Sequence, residues 1–367
     1  MRSTKAAVYF TSRYSGPLTP ISRAIRWASS FGVDTPPSSR ETQPRDHRSS
    51  ARRTTYSHAV EPLGQYPDPA HVVAHLSDPH LLADALQYGV IDTAARLRQA
   101  LSRLGRLPTP PQALVFTGDL ADLAEPAAYE KLREIVDPVA ADLGAEAVWV
   151  MGNHDERRAF ARGLYGADGD APQDRVHDIA GLRIVALDTT VPGWHHGELS
   201  DGQLDWLRAV LAEPARHGTL LAMHHPPIPV PMLRLAELIE LHDQPRLAEV
   251  VEGSDVRGIL GGHFHFTSYS TFAGVPVSVA SATCYSSEIL PDRRLLSAVD
   301  AHQSFTMLHL YDDRVVHSVV PIADAAEVSG YGLEMLEPFG SLSARERFEM
   351  VASKDSPLNR PHTPVVP

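Results

Sequence analysis

The sequence predicts a layered α/β fold, and three observations carry that reading. From about residue 70, short apolar runs alternate with segments whose apolar positions recur at helical spacing, the pattern of strands and helices packed as layers. The chain has 367 residues, 43% of them hydrophobic and 21% charged, which is enough apolar material for a sizeable core. No stretch of about 18 or more consecutive apolar residues occurs, which excludes a membrane-spanning helix.

Residues 1–60 hold ten Lys/Arg, three Asp/Glu and eighteen Ser/Thr, without a sustained apolar period. Such a composition cannot bury enough surface to offset chain entropy, so residues 1–70 read as a disordered extension. Strands are expected at His71–Ser77, Ala113–Thr117, Ala147–Met151, Leu182–Leu187, Leu220–Met223 and Val256–Leu260, each a short apolar run bounded by Gly, Pro or polar residues. Helices are expected at 92–105, 126–142, 200–212 and 243–252, where Asp92 and Ser200 offer side-chain oxygens to unpaired first-turn amides. Segments 276–281, 304–311 and 314–321 read as strands without intervening helices, which calls for a mixed sheet or two stacked sheets. Residues 71–322 thus form the folded domain, and 323–367 an irregular extension with one helix at 343–352 and a Pro-rich end.

Charge and cysteine usage narrow the function. Lys+Arg 33 against Asp+Glu 45 gives a net charge of −12, which argues against nucleic acid as the partner. The only cysteine, Cys284, excludes an intrachain disulfide and fits a reducing, cytoplasmic setting. The basic leader could bind anionic surfaces, so partial membrane or envelope association through the tails stays open.

The chemistry lies at the strand ends. Asp78-Pro79-His80 follows the first strand, Gly118-Asp119 the second and Gly152-Asn153-His154-Asp155 the third. His224-His225-Pro226-Pro227 follows the fifth, and Gly261-Gly262-His263-Phe264-His265 the sixth. Ligands of open α/β sheets sit outside the carboxyl ends of the strands, so five distant segments converge on one rim. Carboxylates, an amide oxygen and imidazoles form a donor set for zinc, manganese or iron. Residues two apart on extended chain point the same way, which lets both members of Asp-x-His or His-x-His reach one centre. Of the adjacent pair, His224 is preferred as the donor, because His225 beside Pro226 reads as shaping the turn. Cys284 reads as small packing, Tyr285 as a candidate stacking ring, and His242 as one of several ordinary histidines outside these blocks.

These blocks, in the order D-x-H, G-D, G-N-H-D/E, H and G-H-x-H, resemble the calcineurin-like metallophosphoesterases. Longer stretches, among them VFTGDLADLAEPAAYEKLR (115–133), VWVMGNHDERR (148–158), LDTTVPGWHHGEL (187–199), LAMHHPPIPV (221–230) and VPVSVASATCY (275–285), are similar to bacterial class III 3',5'-cyclic-nucleotide phosphodiesterases. The resemblance spans about residues 71–322 and implies a four-layer αββα sandwich, often assembled as a homodimer. It implies two metal ions per subunit, iron with manganese or zinc, or two manganese. Asp78, His80 and His265 would hold one, Asn153, His224 and His263 the other, with Asp119 between them. The cations would acidify a bridging water whose hydroxide attacks phosphorus in line, turning cyclic AMP into 5'-AMP. His154 is the candidate to protonate the departing 3'-oxygen, with Asp155 holding its other ring nitrogen, and His195 and His196 are candidate phosphate contacts. Glycerophosphodiesterases share nearly all the metal blocks and are the alternative reading. A regulatory or envelope-associated module with a weakly active core is a further one.

Overall fold

Two β-sheets stack face to face with helices on both outer faces. The structure, a computed structural model, describes residues 64–290, 294–330 and 339–356. The expected N-terminal extension up to residue 63 and the Pro-rich end after residue 356 lie outside the described residues.

In chain order the elements are β1 (His71–Leu76), α1 (Thr93–Leu104), β2 (Ala113–Thr117), α2 (Pro126–Leu143), β3 (Glu146–Val150), α3 (Arg157–Tyr165), β4 (Arg175–Ile179) and β5 (Leu182–Leu187). There follow α4 (Asp201–Leu211), β6 (Thr219–Met223), α5 (Gln244–Val251), β7 (Val256–Gly261), β8 (Ser268–Phe272) and β9 (Val275–Val279). The short pair β10 (Ser286–Ser287) and β11 (Ala298–Val299) precedes β12 (Ser304–Leu310), β13 (Val315–Pro321) and α6 (Ala344–Ala352). One sheet runs β13-β12-β1-β2-β3 and the other β4-β5-β6-β7-β9-β8. Both are mixed: β1, β2 and β3 are parallel, as are β5, β6, β7 and β9, while β12 pairs antiparallel with both β1 and β13, β4 with β5 and β8 with β9.

The period-two alternation of strands builds the layers. Val72, Ala74 and Leu76 of β1 pack with Leu97 and Leu101 of α1 and Leu132 of α2. Val73, Val115 and Val148 turn the other way and meet Ile184, Leu220 and Leu260 of the second sheet. That sheet's outer face, Val185, Leu221 and Ile259, packs under Leu207 of α4 and Leu247 of α5. The order is therefore helices, sheet, sheet, helices, which is the αββα sandwich the resemblance implies. The sheets are covered on both faces, so their central strands are apolar at nearly every position, and β1 and β2 are buried throughout.

Local capping also follows the sequence. Asp92 accepts from Ala95 N–H at 2.9 Å, and Ser200 with Gln203 forms a reciprocal capping box. The C-terminal helix α6 has the same device in Ser343 and Glu346. Five elements were not expected: α3, β4, β8 and the two-residue strands β10 and β11. Among the described residues no helix is long and apolar enough to cross a membrane.

Candidate metal centre

The carboxyl ends of β1, β2, β3, β6 and β7 deliver seven ligand-type side chains to one rim. Five of them sit in the left-handed backbone region, with φ of 49° at Asp78, 43° at His80, 49° at Asp119, 72° at His263 and 59° at His265. A non-glycine residue held there costs about 1–3 kcal/mol and persists only where its surroundings over-determine it. Interlocked turns supply that: Asp78 N–H donates to Gly118 O at 3.1 Å, and His80 N–H to Asp119 O at 2.9 Å. Gly152 is required because a Cβ there would run into the Asp119 backbone and carboxylate.

Four imidazoles are pinned through their outer nitrogens. His80 Nδ1 lies 2.8 Å from Asp122 Oδ1, His224 Nδ1 2.8 Å from Thr117 O, His263 Nε2 2.9 Å from Ile239 O and His265 Nδ1 3.1 Å from Tyr285 O. A carbonyl or carboxylate oxygen only accepts, so each outer nitrogen is an N–H, and a ring that gives up its inner proton turns a lone pair inward. Those inward nitrogens crowd together, His80 Nε2 3.1 Å from His265 Nε2 and His263 Nδ1 3.2 Å from His224 Nε2. Asp119 Oδ1 accepts from His154 N–H at 2.8 Å. Its Oδ2 is thereby aimed between the two pairs, 3.3 Å from His80 Nε2 and 3.4 Å from His224 Nε2. Asp78, His80, Asp119 and His265 offer ligand atoms within 4.8 Å of one another. Asn153 Oδ1 stands 3.0 Å from His224 Nε2 on the other side of Asp119. Inward lone pairs converging from both sides of one carboxylate fit cations, with outer partners that fix each ligand's orientation.

The electrostatics agree. Burial opposes a charge on His80, but the Asp119 and Asp122 carboxylates outweigh it and raise its pKa well above the ordinary value. Burial likewise works against His224, yet Asp119 and Asp78 lift it to about 9. Asp119 would be raised by burial, and His224, His154 and His80 instead hold it well below the usual carboxylate range. A field that draws a proton onto buried imidazoles draws a cation for the same reason, and a cation displaces the protons.

Two expected roles are corrected. Asp155 does not hold the His154 ring: its buried carboxylate turns under the turns and accepts from Leu120, Ala121 and Gly152 N–H and from Tyr129 Oη. The His154 Nδ1–H goes to Asp122 O at 2.9 Å, so Asp122 takes the part expected of Asp155. His196 points away from the cleft, its Nε2 2.9 Å from Glu198 Oε1. His195 does line the cleft, with Nδ1 2.9 Å from Asn153 Nδ2. An amide nitrogen donates, so His195 Nδ1 accepts and its Nε2 carries the proton. Burial and then the neighbouring His154 lower the His195 pKa, which favours the neutral ring. His225 lies within 4.8 Å of the His224 and His263 ligand atoms, but both its ring nitrogens are engaged elsewhere, Nδ1 2.8 Å from Thr189 Oγ1 and Nε2 3.0 Å from His195 O, where it braces the loop that carries His195. Cys284 is buried and free. Sequence reasoning missed Asp122, although its place three residues after Asp119 puts it on the same turn.

Above the donor cluster is a cleft of about 320 Å³, with His80, Asp119, Asn153 and His154 at its floor. Leu233, Leu235, Phe264, Leu296 and Tyr285 form its wall.

A calcineurin-like phosphoesterase profile matches residues 71–266. A probable cyclic nucleotide phosphodiesterase of Rhodococcus erythropolis is 51% identical over 70% of this chain and 86% of that protein. A cAMP/cGMP dual specificity phosphodiesterase of Mycobacterium tuberculosis is 49% identical over 73% of this chain and 84% of that protein. Among solved structures, a dimetal phosphatase from Danio rerio shares the fold with a TM-score of 0.50 at 18% identity, covering 70% of this chain and 98% of that one.

Proposed function

The chain belongs to the calcineurin-like phosphoesterase family, and on that premise we propose that its cleft holds two cations and hydrolyses 3',5'-cyclic nucleotides to nucleoside 5'-monophosphates. The observation that carries the reading is Asp119, whose Oδ2 lies at 3.3 and 3.4 Å from imidazole nitrogens on either side while Oδ1 is held by a backbone amide. Asp78, His80 and His265 would hold one ion and Asn153, His224 and His263 the other, with Asp119 placed to serve either. Iron with manganese or zinc, or two manganese, suit this mixed oxygen and nitrogen set. Bound there, such ions supply Lewis acidity, lowering the pKa of water and neutralising charge that builds on phosphoryl oxygens.

The chain's own residues position the substrate and move the proton. His195 donates its Nε2–H to a phosphoryl oxygen, and Asn153 fixes that tautomer through the Nδ2 contact at 2.9 Å. His154, anchored through Nδ1 on Asp122 O, turns Nε2 to the departing 3'-oxygen and, when protonated, gives it a proton. The apolar wall takes the base and excludes water, with Tyr285 able to stack on it. The two relatives at 51% and 49% identity support cyclic nucleotides over other diesters as the substrate. An acidic chain with a buried free cysteine fits action in the cytoplasm.

The test offers cyclic AMP, cyclic GMP and glycerophosphocholine to metal-stripped protein re-supplied with manganese. Metal-dependent release of 5'-AMP or 5'-GMP is expected. Cleavage of glycerophosphocholine alone would replace this reading with that of a glycerophosphodiesterase.

A further inference from the structure

A second cluster of ligand-type side chains lies outside the cleft. His196 Nε2 stands 2.9 Å from Glu198 Oε1, and His242 Nδ1 3.7 Å from that same oxygen. The two rings stack with centroids 4.4 Å apart at 30°, and the three ligand atoms lie within 4.8 Å of one another. Zinc holds nitrogen and oxygen ligands at about 2.0–2.2 Å, which puts neighbouring tetrahedral ligand atoms roughly 3.4 Å apart. The observed 2.9 and 3.7 Å bracket that spacing. An exposed His–Glu pair adds little stability and needs one imidazole only. A second imidazole, stacked on the first and turned to the same oxygen, completes a two-histidine, one-carboxylate set with positions left for water. Glu240 and Asp243 line the open cleft beside it and add negative charge.

The location gives the cluster a consequence. His196 and Glu198 belong to the loop that presents His195 to Asn153, and His242 follows the segment whose Ile239 carbonyl anchors His263. The two segments are zipped at Gly197, which donates to Glu240 O at 3.1 Å and accepts from His242 N–H at 2.8 Å. Only glycine fits there, since a Cβ would stand 2.7 Å from the His225 ring.

We infer that His196, Glu198 and His242 form a third cation site, selective for zinc or a similar borderline divalent ion, that staples the His195 loop to the 239–242 segment. The site stands on its own contacts whether or not the main cleft cleaves cyclic nucleotides. To test it, metal-loaded protein is equilibrated with zinc chloride, passed through gel filtration and its total metal counted, for the parent, Glu198→Gln and His242→Ala. The parent should retain one equivalent more than either variant, both of which alter exposed side chains and keep the parent's circular dichroism. Equal counts in all three proteins overturn the site. Zinc should also slow proteolysis within residues 189–199 in the parent at least threefold more than in Glu198→Gln, and equal protection overturns the stapling role.

Discussion

Asp122 holds two histidines from one position, taking His80 Nδ1 on its carboxylate at 2.8 Å and His154 Nδ1 on its carbonyl at 2.9 Å. Replacing it by Ala removes the carboxylate that fixes the His80 tautomer and leaves the main-chain contact to His154. Loss of such an outer partner lowers metal affinity or activity by about 10–100-fold. Asp122→Ala should therefore shift the manganese dependence of turnover to higher concentration by that factor, and an unchanged midpoint would show that His80 needs no such anchor. The seven ligand-type residues were legible in the sequence because each follows a strand and each is chemically suited to a metal. Their outer partners were not, since Thr117, Ile239 and Tyr285 act through main-chain oxygens that no residue type announces. The role expected of Asp155 failed for a related reason: adjacency to His154 says nothing of direction, and its side chain turns back to the amides of the neighbouring turns.

At the scale of elements, that back-turned carboxylate ties the β2 and β3 ends to α2. Tyr129 on α2 donates its hydroxyl to Asp155 Oδ1 at 2.7 Å from a fully buried position. Tyr129→Phe leaves a buried carboxylate one donor short and should cost about 1–3 kcal/mol in urea unfolding, against no change if the contact is incidental. The half-buried Asp174, next to β4, gives a pH-dependent case. Burial pushes its pKa to about 6 from 3.8, against the Asp188 amide and Gln203 that bond it. The folded state thus holds this proton more tightly than the unfolded chain, so its contribution to stability falls as pH rises from about 4 to about 6 and is flat above. In metal-stripped protein, Asp174→Asn should lose on the order of 1 kcal/mol less than the parent between pH 4 and pH 7. Identical slopes would refute the shift. Strands β4 and β8 escaped sequence reading because they are polar strands at the sheet edge, β8 without a buried residue, and β10 and β11 because two residues carry no period. Helix α3 has nine residues and buries only Phe160, Ala161 and Leu164, too short a periodic run to stand out.

Across the whole molecule, the candidate centre straddles both sheets. Asp78, His80, Asp119 and Asn153 come from the ends of the first sheet's strands, and His224, His263 and His265 from the second's. The layered class and the stacking of two sheets were readable because apolar runs, helical periods and a helix-free tail of strands each constrain topology. The position of the His195 loop was not, because it depends on His225, Thr189 and the zipped Gly197 rather than on any periodic pattern. Cations bound across the two sheets are the premise on which the proposed chemistry stands. The most direct measurement is 5'-AMP formation from cyclic AMP as manganese is returned to stripped protein, for the parent and Asn153→Ala. The account predicts no turnover without metal, full turnover once it is restored, and at least a hundredfold loss in the variant. Turnover by stripped protein, or equal turnover by parent and variant, would contradict it.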